Sequence, residues 1–303
     1  AVGVAYQENG MPREARAERE VLLSGGAINS PQLLMLSGIG AADELRALGL
    51  DVVMDLPGVG QNLQDHLIGG VLYHALKPIS LANALKPHNL IQYLLFRRGM
   101  LLSNVAEGGA FIQLEPNPSA PYLPDVQYHF GPAFFVDQGQ TPIEGHGFAL
   151  GALVLRPKSR GWIKLRSADP LAPPIIQPNY LSDSEGHDLR LTLKGMRLAR
   201  EILQAYPFDR YRGAEFLPGA HVQNDEDMAA YLRERAETLY HPVGTAKMGH
   251  DPLAVVDESL KVHGVEGLRV VDASVMPVIC SGNTNAPTMM IAEKAADMVL
   301  EHA

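Results

Sequence analysis

Two polar loops in the C-terminal third carry the side chains best suited to chemistry. His241 lies in YHPVGTAKMG, and Asn283 and Asn285 lie in DASVMPVICSGNTNA, which spans Asp272–Ala286. An imidazole with an ordinary pKa of about 6.5 can act as a base near neutral pH. An asparagine amide can donate a hydrogen bond to developing oxyanion charge without titrating. A histidine beside an asparagine therefore suits removal of the hydroxyl proton of an alcohol, with a cofactor as the electron acceptor.

The downstream loop follows an apolar run, Leu268–Val271, and precedes an amphipathic helix predicted over Pro287–His302. Ligands of open α/β sheets bind in loops at the carboxyl ends of strands. We therefore predict that the two loops meet and that a redox cofactor lies between them. The alternative is that His241, a single histidine before a proline, has a structural role.

A strand–glycine–helix unit near the N-terminus is another candidate binding site. The sequence predicts strands over Val2–Tyr6 and Ala17–Leu23, joined by a polar turn around Asn9-Gly10. The second strand leads into SGGAINSPQLLMLSGIG. The sequence predicts a short helix over Gln32–Ser37, with Asn29 or Ser30 as N-cap and Pro31 at the first helical position. Backbone N–H groups at such a helix start can bind a phosphate. The alternative is a plain turn between strand and helix.

The glycine-rich loop GVGQNLQDH, Gly58–His66, has polar side chains interrupted only by Leu63. Asp65 beside His66 could form a catalytic dyad, and the alternative is a hydrogen-bonded structural loop. Other chemistries lack their motifs, because the sequence has no HExxH, no G-x-S-x-G and no P-loop. GIGAAD follows a helix and lacks the third glycine of a dinucleotide fingerprint. The single cysteine, Cys280, excludes an intramolecular disulfide and a multi-cysteine metal site.

Composition limits the class of protein and its partners. The chain has 303 residues, of which 46% are hydrophobic and 19% charged, as in a soluble globular protein. A net charge of −9 without a block of Lys or Arg argues against a nucleic-acid partner. The longest apolar stretch, Leu90–Leu102, is broken by Arg97, Arg98 and Gly99 and is shorter than the ~20 residues of a spanning helix. One cysteine fits a reducing, cytoplasmic compartment.

Hydrophobic periodicity divides the chain into three segments. Residues 1–66 and 239–303 have the pattern of one α/β domain, and residues 67–238 have that of an inserted antiparallel sheet with helices. The elements predicted in the insert include the hairpin strands Gly147–Leu155 and Trp162–Leu165 and the helices Asn89–Arg98, Glu185–Ala205 and Asp225–Glu237. The sequence thus predicts an α/β fold that is α+β overall.

Four stretches, in order, resemble the glucose–methanol–choline (GMC) family of flavin oxidoreductases. They are GGAINSPQLLMLSGIG, GVGQNLQDH, YHPVGTAKMG and GLRVVDASVMPVICSGNTNAPTMMIAEKAADMV. The resemblance covers nearly the whole chain and is greatest to choline dehydrogenase-like and aliphatic alcohol dehydrogenase-like members. It implies a partial FAD-binding Rossmann-like domain formed by 1–66 and 239–303, with a substrate-binding domain at 67–238. The implied activity is FAD-dependent oxidation of a primary alcohol to the aldehyde.

The resemblance also implies a role for each matching residue. His241 would accept the hydroxyl proton while Asn285 holds the forming alkoxide, and the hydride would pass to flavin N5. The implied cofactor-binding residues are Asn62, Asp65, His66, Asp272, Ala273, Pro287 and Thr288. In the middle segment, Glu107, Phe134 and Phe135 would hold a cationic substrate by charge and cation–π contact, or would be structural.

The chain departs from the family at its start, where the GxGxxG unit that binds the ADP half of FAD is missing. It also lacks an initiator Met, so we expect it to be a fragment of a longer enzyme. Two other functions stay open: a flavin-containing lyase that cleaves cyanohydrins, and a truncated, non-catalytic protein. The electron acceptor would be oxygen or a quinone. The full enzyme would be cytoplasmic, with peripheral association with the cytoplasmic side of a membrane as an open alternative.

Overall fold

The computed structural model describes residues 1–301 and forms two compact units. The first unit combines Ala1–Asp65, Lys158–Ser182 and the chain from Tyr240 onward. The second unit combines His66–Pro157 and Asp183–Leu239. Each unit therefore contains segments that are distant in sequence, as expected for a domain inserted into another.

The helices and strands give both units a mixed composition. The helices are α1 (Gly26–Leu36), α2 (Ala42–Ala47), α3 (Pro87–Phe96), α4 (His187–Gln204), α5 (Asp225–Arg235) and α6 (Asn285–Glu301). The strands are β1 (Gly3–Glu8), β2 (Met11–Arg16), β3 (Val21–Leu23), β4 (Ile39–Gly40), β5 (Met54–Asp55), β6 (Leu67–Ala75), β7 (Gly108–Ile112), β8 (Val126–Gly131), β9 (Gly147–Val154), β10 (Trp162–Lys164), β11 (Ile175–Gln177), β12 (Arg212–Leu217), β13 (Glu237–Thr238) and β14 (Leu268–Val270). Across residues 1–301, no helix combines the length and the apolar character needed to cross a membrane.

The second unit is built on an antiparallel sheet. Its strand order is β12-β6-β9-β8-β7, and β13 pairs with the first two residues of β6, Leu67 and Ile68. Helix α4 packs on this sheet through buried side chains that include Leu191, Met196 and Ala199. These residues recur at helical spacing, so one face of α4 is apolar and the other is solvated. The predicted antiparallel sheet with helices is confirmed.

The first unit has α/β character. β14 pairs in parallel with β3, and β4 pairs in parallel with β5. Parallel strands need crossover connections. Helix α1 packs into the hydrophobic core of this unit through Leu34 and Met35. The same core contains Val243 and Val270, so the segment from Tyr240 onward completes the hydrophobic core begun by the N-terminal residues.

The segment Lys158–Ser182 belongs to the first unit, whereas the sequence prediction placed all of 67–238 in the insert. The backbone explains the difference. Gly161 N donates to Leu63 O at 2.8 Å, and Leu63 N donates back to Gly161 O at 3.0 Å. The predicted hairpin of β9 with Trp162–Leu165 is also wrong, because β10 pairs with β11 instead.

The N-terminal hairpin differs from the predicted one in its second strand. β1 pairs with Met11–Arg16, whereas the prediction placed the partner at Ala17–Leu23. Asn9 and Gly10 form the turn with φ of 52° and 79°, so the strands meet across two residues. Only Val21–Leu23 of the predicted strand is extended, as β3.

Helix α1 begins at Gly26, earlier than the predicted start at Gln32, so Ser30 and Pro31 lie inside it. A proline inside a helix has no N–H for the carbonyl four residues earlier. That carbonyl belongs to Ala27, and it accepts a hydrogen bond of 2.6 Å from Thr245 Oγ1 instead. A residue more than two hundred positions away therefore makes Pro31 tolerable there.

Two C-terminal elements also differ from prediction. Helix α6 starts at Asn285, two residues before the predicted Pro287, and the predicted end at His302 lies outside the described residues. The apolar pattern also predicts a strand over Leu260–Val262, but in the structure this segment forms isolated bridges, Val256 with Val262 and Lys261 with Arg269.

Candidate active site

The His241 loop is held in place by Asp65, which lies in the first unit with it. His241 N donates to Asp65 Oδ1 at 2.9 Å, and Tyr180 OH donates to Asp65 Oδ2. Gln64 and Val243 exchange backbone hydrogen bonds of 3.0 and 2.9 Å. The carboxylate therefore fixes the backbone of His241.

The imidazole of His241 faces an asparagine amide. Asn283 Nδ2 lies 3.3 Å from His241 Nε2. Because an amide NH2 can only donate, Nε2 is the acceptor, and the proton of the neutral ring is on Nδ1. His241 is buried, with 7% of its surface exposed, so Nε2 is largely shielded from water. It faces the Asn283 amide, which is polar but does not titrate.

Asn283, and not the predicted partner Asn285, is the amide that the structure brings to His241. Asn285 is the first residue of α6, where its side chain is exposed. The carbonyl of Thr284 accepts from Thr288 N at 3.1 Å, so the helix is already under way when the chain reaches Asn285. Two residues of the same type, two positions apart, could not be separated from the sequence alone.

Burial lowers the pKa of His241 below its ordinary value of 6.5, and the negative charge of Asp65 partly opposes that shift. The ring is therefore neutral, and able to accept a proton, at neutral pH. If His241 is the base, the acid limb of alcohol-dependent flavin reduction should inflect below pH 6.5. Asp65→Asn should move that limb to lower pH still, because the carboxylate charge raises the pKa. A pH profile of flavin reduction measures both, and an inflection above 6.5 would contradict the assignment.

Asp272 joins the downstream loop to the start of α1. Its Oδ1 accepts from Ser274 N at 2.7 Å, and its Oδ2 accepts from Gly26 N at 2.9 Å and from Ser30 Oγ at 2.5 Å. Asp272, Ser30 and Ser274 are all buried, so water cannot readily replace the carboxylate as an acceptor. The loop that follows, with Ala273 half-buried at its start, is therefore placed by a carboxylate that accepts three hydrogen bonds.

Asp272→Ala should lower the free energy of unfolding by about 3 kcal/mol, because it leaves buried donors without an acceptor. Urea denaturation of the protein without flavin measures the loss. The matched control is Asp43→Ala, since the Asp43 carboxylate is fully exposed and pairs with Arg46 on the same short helix, α2. Equal effects of the two substitutions would show that the Asp272 contacts add nothing.

Asn62 and Gln64 fix the third loop of the site. Asn62 adopts a left-handed φ of 63°, and its Nδ2 donates to Gly244 O at 3.1 Å and to Pro277 O at 3.2 Å. Gln64 Nε2 also donates to Pro277 O, and Gln64 Oε1 accepts from Ile279 N, both at 3.2 Å. These bonds join the glycine-rich loop to both C-terminal loops. Gln64 was not predicted, although it lies in the polar run beside Asn62.

The other predicted residues lie in several places. Pro287 and Thr288 are half-buried in the first turn of α6, where Thr288 Oγ1 donates to Thr284 O at 2.7 Å. His66 belongs to the second unit, where it is fully buried and its Nε2 lies 3.1 Å from Leu155 O. Asp65 thus holds the backbone of His241, and the imidazole of His66 contacts a carbonyl of the second unit.

The predicted substrate residues also belong to the second unit. Phe134 packs edge-on against His74 and Phe216, with ring centroids 5.2 Å away in each case. Phe135 and Glu107 are exposed. Phe134, which is half-buried, thus has a packing role, whereas the carboxylate of Glu107 is exposed. Among residues 1–301, no group of three or more His, Cys, Asp or Glu is placed to hold a metal ion.

Comparison with known proteins places this geometry in a family. Two GMC oxidoreductase models match the chain, one over residues 1–68 and the other over 157–292. The chain belongs to the GMC oxidoreductase family. The two matched regions include all three loops that meet around His241, so the family signal and the geometry fall on the same residues.

Individual relatives agree with this membership. Human mitochondrial choline dehydrogenase is 49% identical over 99% of this chain and 50% of its own length. An alcohol dehydrogenase [acceptor] of Pseudomonas putida is 46% identical over 99% of this chain and 55% of its own. A formate oxidase structure from Aspergillus oryzae RIB40, described for its FAD modification, aligns with a TM-score of 0.91 at 28% identity over 99% of this chain and 57% of the other. The chain spans about half the length of the curated relatives that it matches.

The residues around His241 fit the ring of a flavin, the cofactor of the resemblance. Val278, Met289 and Met290 are exposed apolar side chains on the loop and helix that flank Asn283. A flavin ring is flat and largely apolar, with polar atoms along one edge, so apolar side chains beside uncharged hydrogen-bonding groups suit it. The fit applies to the side of the flavin ring that this chain would contact.

Proposed function

We propose that this chain carries the alcohol-oxidising half of an FAD-dependent GMC enzyme that converts a primary alcohol to its aldehyde. The observation that supports it best is the contact between Asn283 Nδ2 and His241 Nε2 at 3.3 Å. An alcohol oxygen placed against both groups would give its proton to Nε2 and receive a hydrogen bond from the Asn283 amide. FAD, when bound, supplies the acceptor for the hydride from the carbinol carbon.

The chain's own residues divide three tasks in this proposal. His241 accepts and holds the proton, because its burial keeps the imidazole neutral beforehand. Asn283 stabilises the alkoxide oxygen by a bond that strengthens as negative charge develops there. Asp65, Asn62 and Gln64 position both groups through their bonds to the loop backbones.

The cofactor-binding residues are proposals of the same kind. Asn62, Asp65, Ala273, Pro287 and Thr288 lie in the first unit, in the loops or helix start around His241. Asp272 would contribute by placing Ala273 and the following loop, because its carboxylate oxygens already accept three bonds. His66 would contribute as part of the second unit. Asn285, the alkoxide-holding residue implied by the resemblance, is the alternative to Asn283 and lies in the first turn of α6.

The substrate that we propose is choline or a similar primary alcohol. The names of the relatives support a choline or alcohol substrate for those proteins. In this chain, Glu107 and Phe135 of the second unit are exposed and could meet a cation, and the segment 67–238 less 158–182 is the proposed substrate-binding part. Oxygen or a quinone would reoxidise the flavin, and the location that we propose is cytoplasmic, at the membrane where a quinone is the acceptor.

Anaerobic titration of the FAD-loaded protein with choline and with straight-chain primary alcohols tests the proposal. Loss of the oxidised flavin absorbance with stoichiometric aldehyde supports it. Flavin that binds but stays oxidised, with cyanohydrin cleavage, would identify a lyase instead. Failure to bind FAD at all would favour the non-catalytic alternative.

A further inference from the structure

Helix α3 exposes a continuous apolar surface in the second unit. Its exposed apolar side chains are between 47% and 69% accessible: Leu90, Ile91, Leu94, Leu95 and Phe96. Asn89 is the one α3 residue that is buried. A globular helix normally turns its apolar face to the core, whereas α3 turns its leucines to solvent. Leu85 before the helix and Leu102 after it, both exposed, extend the same apolar character.

Asn89 makes polar contacts with the chain on either side of the helix. Asn89 Nδ2 donates to Asn83 O at 2.7 Å and lies 3.8 Å from Met100 Sδ. The helix ends at Phe96, and the next residue, Arg97, has a left-handed φ of 52°. The side chain of Asn89 thus faces inward, whereas the leucines and Phe96 of α3 face solvent.

The charged residues that flank α3 in sequence have one sign. Lys86 precedes the helix, Arg97 and Arg98 follow it, and all three are exposed. The chain as a whole carries a net charge of −9, yet residues 66–106 contain no Asp or Glu. An apolar surface bordered by cations at both ends is typical of helices that lie in the interface of a membrane.

Charge also decides between a lipid surface and a second copy of this chain. Two α3 surfaces packed together would bring Lys86, Arg97 and Arg98 of both copies close to one another, and like charges at an interface are unfavourable. Anionic headgroups, in contrast, attract cations at the membrane surface. A helix of this length is about 15 Å long, about half the hydrocarbon thickness, so it can lie in the interface but not span it.

We propose that α3, with Lys86, Arg97 and Arg98 at its ends, is a docking surface for a membrane that contains anionic lipid. The leucines and Phe96 would enter the boundary between headgroups and acyl chains, and the cations would contact phosphates. The inference deepens the proposed membrane-linked oxidation and rests on that function only for its biological purpose. Lipid binding itself needs neither flavin nor alcohol, so its failure and the failure of the proposed activity are separate results.

Co-sedimentation of the full chain with vesicles tests the proposal. The vesicles are phosphatidylcholine alone, and phosphatidylcholine with phosphatidylglycerol in equal parts. The wild-type chain should bind the anionic vesicles and lose that binding in high salt. Leu94→Glu with Leu95→Glu should weaken binding more than tenfold. Arg98→Gln should weaken it about fivefold, because one Lys or Arg near an anionic surface strengthens binding by about that factor.

Two matched variants control for nonspecific effects. Leu171→Glu changes an equally exposed leucine of the first unit, and Arg46→Gln removes an exposed cation of the same unit. Both should bind vesicles like wild type. No binding to anionic vesicles, or equal binding by the Leu94/Leu95 variant, would overturn the proposal. It would also be overturned if sedimentation velocity showed a dimer that only the Leu94/Leu95 variant loses, because α3 would then be a contact between copies.

Discussion

Replacing His241 by alanine is expected to lower alcohol-dependent flavin reduction by about 10³-fold, within the range typical of losing a positioned general base. The reason is that Nε2 is the buried, neutral acceptor that faces Asn283, and alanine offers no proton acceptor at that place. The bonds of the loop backbone to Asp65 do not involve the imidazole, so the fold and the flavin content should persist. Stopped-flow reduction of the FAD-loaded variant, with the flavin-to-protein ratio determined beforehand, measures the effect.

A second histidine of the same unit is the control. His250 lies nine positions along the chain with an exposed side chain, 3.2 Å from Glu258. His250→Ala should reduce its flavin at the wild-type rate. If the His241 variant also keeps a near-normal rate at normal flavin content, the imidazole is not the base and the proposed chemistry fails at its central step.

The parts of the fold that local patterns decide were predictable from the sequence. Residues alternating between polar and apolar predicted the antiparallel sheet, and helical spacing predicted α4 and α5 to within two residues at each end. The start of α5 agrees because a local signal exists there: Asn224 Oδ1 accepts from Asp227 N at 2.8 Å, an ordinary helix N-cap.

The parts that depend on contacts between distant residues were not predictable. A proline is typical of the first turn of a helix, yet Pro31 lies inside α1. The carbonyl that Pro31 leaves without a donor accepts a hydrogen bond from Thr245 instead. Lys158–Ser182 joins the first unit through Gly161 and Leu63, a pairing without a sequence signature. Such information exists only after the chain has folded, because each of these bonds joins segments about a hundred or more residues apart in sequence.

The candidate site shows the same division. His241 was identifiable from its residue type and its glycine-rich context. Its partners were not, because Asp65 next to His66 suggested a dyad, whereas the structure uses Asp65 to hold the backbone of His241. The choice between Asn283 and Asn285 depended on where α6 begins, and element boundaries are the least certain part of any sequence-based prediction.

That boundary makes Asn283 and Asn285 a matched pair for experiment. Asn283→Ala is expected to slow flavin reduction by about 10²-fold, the lower end of the cost of losing one oxyanion donor. Asn285→Ala should change the rate little, since it replaces an exposed residue in the first turn of α6 by a good helix former. The two substitutions remove the same group two positions apart, so differences in composition or general stability do not separate them.

The pH dependence of the Asn283 variant adds a readout that a structural role would not change. The Asn283 amide donates to Nε2, a bond that only the unprotonated ring can accept. Without that bond the neutral imidazole loses stabilisation, so the pKa of His241 should rise and the acid limb should move to higher pH. Asn285→Ala should leave the limb in place. Slower reduction in the Asn285 variant alone, with an unmoved limb in the Asn283 variant, would return the role to Asn285 and show that the alkoxide is held from the first turn of the helix.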